Sequence, residues 1–233
     1  MKSGGGTKRE WAARVIREAI LRGDLKPGQR LKQQELAEAL EMSATPIREV
    51  VRVLEAEGLV ENIPYKGTFV HEVSPTEAEE LTPIRVALES LAVRQAVPNL
   101  TEVDLMELEQ ILERMERAEA SADLAALRRY NFDFHSKIYN ACRSEILCEL
   151  IERVWPRFAT DILWAIPDRA RTSVDHHRAI LDRIREEDAE AAAEKMAEHI
   201  RTAGEGIADY SRDQQEEVEE ESREASRLRM LIG

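Results

Sequence analysis

Residues 16–70, IREAILRGDLKPGQRLKQQELAEALEMSATPIREVVRVLEAEGLVENIPYKGTFV, decide the fold of the N-terminal third. Just ahead of and into this stretch, Trp11, Val15, Ala19 and Ile20 recur at helical spacing and stop at Gly23, before the turn Asp24-Leu25-Lys26-Pro27-Gly28. A second helix is expected from about Gln33 to Leu40, with Leu36 and Leu40 on one face. A brief link, Glu41-Met42-Ser43, leads to a third. There Ser43 suits the N-cap, Pro46 sits in the first turn where its missing N–H costs little, Ile47, Val50, Val51 and Leu54 form the buried stripe, and Gly58 ends the helix. The runs Leu59–Asn62 and Thr68–Val70 flank Pro64-Tyr65-Lys66-Gly67, the pattern of a β-hairpin. Three short helices and a hairpin describe a winged helix-turn-helix. Thr45, Arg48 and Arg52 share the face of the third helix opposite the buried stripe, where a recognition helix presents side chains to base edges and phosphates. Lys66 and Gly67 stand at the tip of the wing, within reach of a backbone or minor groove. The competing reading of Arg48 and Arg52 is a pair of solvated charges matched to Glu49 or Glu55.

Outside this stretch the chain changes character. It has 233 residues, a size that suits two small domains, and a net charge of −13. Residues 1–70 carry 12 basic and 10 acidic side chains, so the acidity lies almost wholly in the remainder. With 43% apolar residues there is material for real cores, and no run of 18 apolar residues or secretory signal is visible, so a soluble, cytoplasmic protein is expected. After Ser74-Pro75 the pattern is helical, with starts at Ser74, at Thr101 with Asp104 three residues on, at Ser121 and near Asp188, giving six or seven helices. The Gln214–Glu221 stretch reads as a solvated or frayed helix end. Cys142 and Cys148, six apart on what reads as helix, point to different faces, where they would not easily bridge or make a metal pair, and are expected to be reduced core thiols. The fold class is mainly α: a winged helix-turn-helix over 1–72 and an all-helical bundle over 73–233.

Residues 16–70 resemble the GntR family of bacterial transcription regulators, whose pattern runs G-x-L-x-P-G-x-x-L, E-L-A, S-R-T-P-V-R-E-A, L-x-x-E-G-L and R-G-T-F-V. The resemblance implies that Arg48 and Thr45 contact DNA and that Gly67 is the wing glycine. Two cationic positions are lost, since Ala44 stands where the family commonly has Arg and Gln34 where Arg often precedes E-L-A. The loss of these cationic donors implies weaker affinity or an altered operator, and fewer phosphate contacts imply a shallower salt dependence.

The remainder carries no G-x-S-x-G, H-E-x-x-H, C-x-x-C or P-loop signature, so nothing supports an enzyme. Asn131 and His135 are i,i+4 on one helical face. His177 and His199 are 22 residues apart, about 33 Å on a continuous helix, so a shared site demands a fold-back, and Glu186-Glu187-Asp188 interrupts the periodicity midway. Three imidazoles and an oxygen ligand would suit a divalent ion such as Zn²⁺ or Ni²⁺, held only while the imidazoles are neutral, down to about pH 6. His176 must point about 100° away from His177. Isolated helical histidines are more often core residues.

Segments 83–97, 131–141 and 175–200 resemble the FCD subfamily of GntR regulators, which implies metal ligands at Asn131, His135, His177 and His199, with Asn131 replacing the usual Asp. The resemblance also favours an inward Arg85 that receives an anionic effector over a surface pair with Glu89. Tyr139 and Trp164 are candidates to line the chamber. The implied protein is a homodimeric regulator binding a palindromic double-stranded operator under the control of a small carboxylate effector. Its rivals are a metal-dependent helical enzyme with an appended winged helix, and an interaction module that no longer binds DNA.

Overall fold

A computed structural model describes residues 7–155, 166 and 168–232, with side chains as far as Asp213 except Ser211. Helix α1 (Lys8–Leu21) begins in a capping box, in which the Thr7 hydroxyl accepts from the Glu10 N–H while the Glu10 carboxylate accepts from the Thr7 N–H. The two-residue strand β1 (Arg30–Leu31), helix α2 (Gln33–Ala39) and helix α3 (Ala44–Ala56) follow, then strands β2 (Val60–Ile63) and β3 (Gly67–Val70). The sheet is antiparallel in the order β1-β3-β2, with Val60 opposite Val70 and Ile63 opposite Gly67. The hairpin is as expected. Strand β1 is an addition, too short to leave a periodic signal, and it pairs Arg30 with Phe69. Ser43 has N-cap backbone geometry, but its hydroxyl caps no backbone N–H of α3.

Then come α4 (Pro75–Ala96), a 3₁₀ turn (Val97–Asn99), α5 (Glu102–Ala120), α6 (Leu124–Asn140), α7 (Glu145–Val154), α8 (Arg169–Arg185) and α9 (Ala189–Ile232). The starts at Ser74 and Thr101 are as expected: Ser74 caps α4 with Pro75 at its first position, and Thr101 forms a capping box with Asp104. Ser121 instead closes α5, and Asp123 caps α6, because Ala122 takes a left-handed turn (φ 52°) that separates the two helices. Glu187 (φ 56°) makes the corresponding break between α8 and α9, and the Asp188 carboxylate accepts from the Ala191 N–H.

Two clusters of buried apolar side chains result. One gathers Ala12, Ile16, Ile47, Val50, Val51, Leu54, Leu59 and Val70. The other fills the bundle with Leu108, Leu112, Met115, Phe134, Ile138, Ile180 and Met196 among others. Each fully buried large side chain contributes about 1.5–3 kcal/mol of transfer free energy. Helices α4 and α9 run so close that a Cβ at Gly204 would lie 2.0 Å from the Thr82 hydroxyl, so only glycine fits this crossing. That contact aligns α9 with α4 and sets where His199 enters the core.

The cysteines are free thiols as expected, but their placement on different faces of a helix is overturned. Helix α6 ends at Asn140 and α7 starts at Glu145, so Cys142 and Cys148 belong to different segments and their sulfurs lie 3.6 Å apart as free thiols. Helical phase could not place them, because the helix on which it was reckoned is broken.

Candidate nucleic-acid face and metal chamber

On α3 the apolar stripe Ile47, Val50, Val51 and Leu54 is buried, and this turns Thr45, Arg48 and Arg52 to solvent. The pairing proposed for the arginines is not formed: Glu49 bonds to Arg9 of α1, and Arg48 and Arg52 make no ion pair among the described residues. Lys66 is exposed at the wing tip beside Tyr65, which is wholly exposed at φ 66°. Gly67 takes φ 111°, and a Cβ there would be 3.3 Å from the Arg30 guanidinium, so Arg30 lies against the wing. Hairpin periodicity could not have found Arg30, because β1 lies thirty residues upstream.

In the bundle the three expected histidines converge. His135 of α6, His177 of α8 and His199 of α9 are buried, and one nitrogen of each lies within 4.8 Å of the others. Their partners assign the tautomers. The His177 Nδ1–H donates to the Ser173 carbonyl at 2.5 Å. The Tyr139 hydroxyl donates to the Glu89 carboxylate in a short bond, so its oxygen accepts from the His135 Nδ1–H at 2.7 Å. Both Nε2 atoms are thereby left as lone-pair acceptors, and they face each other at 3.1 Å. Two lone pairs at that distance repel unless a proton, as in an N–H···N hydrogen bond, or a metal ion lies between them. Metal–nitrogen bonds of about 2.0–2.1 Å place adjacent ligand nitrogens about 3.0–3.4 Å apart, which this spacing meets. His199 adds a buried Nδ1 with no hydrogen-bond partner. Asn131 is buried one turn ahead of His135 on α6.

Burial keeps the imidazoles neutral. Desolvation pushes His177 down to about 4, and it pushes His135 and His199 well below the ordinary range, with charge on neighbouring imidazoles acting in the same direction. The expected onset of proton competition accordingly moves from about pH 6 towards pH 4. His176 is half-buried beside His199, with ring centroids 5.7 Å apart, and its Nδ1 is also unpartnered.

Arg85 does point inward, and its guanidinium is met bidentately by Glu89, at 2.6 Å and 3.3 Å. The resulting series Arg85–Glu89–Tyr139–His135 orients the imidazole from outside, as supporting carboxylates do at metal sites. Tyr139 touches the cluster through His135, as a hydrogen-bond relay to Glu89. From the sequence Glu89 shows only as the i,i+4 partner of Arg85. Trp164 lies outside the described residues.

A cleft of about 510 Å³ opens beside the chamber, between α1 and the bundle, lined by Arg17, Arg22, Phe132, Tyr139, Cys148 and Trp155. Rings connect the two spaces: Trp155 lies 5.4 Å from His135 and stacks on Phe132 at 5.3 Å. Arg22, which closes α1, lies over Phe132 at 5.3 Å and pairs with Asp133 at 3.3 Å. Periodicity shows none of this, since it depends on how α1 meets α6.

A winged helix-turn-helix followed by a separate helical bundle is the build of a two-part transcriptional regulator. Residues 8–70 match the bacterial regulatory proteins of the gntR family, and residues 80–202 match the FCD domain. The HTH-type transcriptional regulator McbR of Escherichia coli K12 is 34% identical over 180 residues, covering 76% of this chain and 81% of its own. The uncharacterized HTH-type transcriptional regulator YdhC of Bacillus subtilis 168 is 29% identical, covering 79% and 84%. The solved structure of E. coli McbR/YncC superposes with a TM-score of 0.77 at 30% identity, covering 90% of this chain and 99% of that one. The chain belongs to the GntR family and carries an FCD domain after its DNA-binding domain. It is a DNA-binding transcriptional regulator, of a family of regulators rather than enzymes. No described helix is long and apolar enough to cross a membrane.

Proposed function

We propose that the operator affinity of this regulator is set by a small carboxylate effector bound with a divalent metal, Zn²⁺ or Ni²⁺, in the helical domain. The observation that carries this reading is the pair of bare Nε2 atoms of His135 and His177 at 3.1 Å, with His199 beside them. His135, His177 and His199 would hold the ion, with Asn131 as a neutral oxygen ligand. When bound, the ion would supply a positive centre with open positions for a carboxylate. Arg85 and Tyr139 act on the effector side through Glu89 and His135. Thr45, Arg48 and Arg52 read the operator, while Lys66 and the Gly67 wing follow the backbone, with Arg30 adding a further cation there.

In this reading, domains at 1–72 and 73–233 communicate through His135, Trp155, Phe132 and Arg22. An occupant that shifts Trp155 shifts the seat of α1, and with it the pose of the reader; coupling requires different contacts in the two states, and this stack supplies them. A two-fold dimer matching a palindromic operator is supported by Ile84 and Leu91 of α4 and Ile146 and Leu150 of α7, exposed apolar side chains on adjacent helices. Such a protein works in the cytoplasm, where its operator is.

The test combines metal analysis with gel shift. Purified protein, or protein titrated with Zn²⁺, is expected to hold one ion per chain, and each of His135→Ala, His177→Ala and His199→Ala to lose it. If the parent takes up no metal and the three variants answer effector as the parent does, the histidines are structural and the reading fails.

A further inference from the structure

Among the described residues the bundle buries two arginines, and they differ in one respect. Arg85 has its own carboxylate in Glu89. Arg169, at the start of α8, is only 5% exposed, and its Nε and Nη1 are buried with no hydrogen-bond partner among the described residues. No carboxylate among the described residues pairs with it, and burial lowers its pKa to about 10. An unpaired buried charge is costly to hold, so its retention calls for a partner that arrives later.

The position of Arg169 indicates where that partner would lie. Arg169, Ser173, His176 and His177 succeed one another at i, i+4, i+7 and i+8 along one side of α8, with Ser173 and His177 buried. The Arg169 charge is close enough to lower the basicity of His176, His177 and His199 alike. His176 adds a buried Nδ1 without a partner, on nearly the same helical stripe as Arg169 and beside the His199 ring. Arg169 lies about two helical turns before His177 on α8 and is not itself one of the clustered imidazoles. The buried Arg169 guanidinium and the His176 ring thus bring polar atoms in want of a partner to one side of α8, beside the chamber.

We propose that Arg169 and His176 form an anion subsite distinct from the three-histidine cluster, and that it takes the second acidic group of a small diacid effector. The assignment rests on the effector reading above and narrows it from any small carboxylate to a molecule with acidic groups at both ends. Arg169 supplies the fork geometry that an acid group accepts in two bonds.

Calorimetry on the zinc-loaded full chain compares succinate, glutarate and adipate with butyrate and inorganic phosphate. At least one diacid is expected to bind 10-fold or more tighter than either. Arg169→Met is expected to reduce that diacid to the butyrate level, while leaving butyrate affinity and zinc content as in the parent, and Arg169→Lys to restore part of the difference. Because Met removes an unpaired buried charge, the melting temperature of the ligand-free protein should stay level or rise. A fall would give Arg169 a structural partner and overturn the proposal. Equal binding of diacids and butyrate, or a diacid preference that survives Arg169→Met, also overturns it. Phosphate binding as tightly as the best diacid would make this a free-anion site and remove the diacid assignment. If the chain takes up no zinc, the metal reading fails by itself. The diacid preference and its dependence on Arg169 are then read on the metal-free chain, where their absence still refutes the subsite.

Discussion

Acidification tests the buried imidazoles most directly. In the folded chain burial holds His177 at about 4, whereas in the unfolded chain a histidine titrates near its ordinary value of about 6.5. Between those values the unfolded state carries a proton at this residue that the folded state lacks, so the free energy of unfolding falls as pH falls through the window from about 6.5 to 4. The limiting slope is about 1.4 kcal/mol per pH unit for one group, so passing from pH 7 to pH 5 removes about 2 kcal/mol through His177 alone. For a chain of this size that corresponds to about 4–8 °C in melting temperature. His135 and His199 are lowered in the same direction and add to the effect. The assay compares urea unfolding of the metal-free parent and of His177→Asn at pH 7, 6 and 5. Asparagine can keep an N–H donating to the Ser173 carbonyl while titrating nothing, so the carboxylates common to both proteins cancel in the difference. The parent should lose about 2 kcal/mol more than the variant over this range. Parallel pH profiles would show that His177 does not stay neutral in the folded state, and would refute the burial argument.

Other expectations are as specific. Arg48→Ala should cost about 1–3 kcal/mol of operator binding if the exposed guanidinium makes a bidentate base contact, while Lys66→Ala should weaken all DNA binding and flatten its salt dependence; titrations against operator and scrambled DNA at two salt concentrations check both. Asn131→Asp should tighten zinc by supplying a charged oxygen, and His176→Ala should leave zinc content unchanged, as read by competition with a chromophoric chelator. Residues 73–233 should remain dimeric without the reader, and Leu150→Glu with Ile146→Glu should yield monomers, as sedimentation at micromolar concentration would show. Phe134→Ala, which empties a fully buried position against His135 and His177, should cost about 3–5 kcal/mol in denaturant unfolding.

The sequence by itself determined what depends on local spacing and backbone chemistry. Helix phase put Ile47, Val50, Val51 and Leu54 on one side of α3 and therefore Thr45, Arg48 and Arg52 on the other. Turn residues placed the hairpin, and the Ser74 and Thr101 caps placed two helix starts to the residue. The break at Glu186–Asp188 was legible as a fold-back, and with it the possibility that His177 and His199 meet. Phase fails once a helix is interrupted, and for that reason Cys142 and Cys148 were set on different faces although their sulfurs approach to 3.6 Å. What only the tertiary structure decided are relations between helices that share no local pattern. Among them are the facing Nε2 atoms of His135 and His177, the relay from Arg85 through Glu89 and Tyr139, the Arg22–Phe132–Trp155 stack, and the partnerless burial of Arg169. Periodicity states which side of a helix is buried. Whether a buried charge finds a counter-charge depends on which neighbouring helix packs there, and at what height along it.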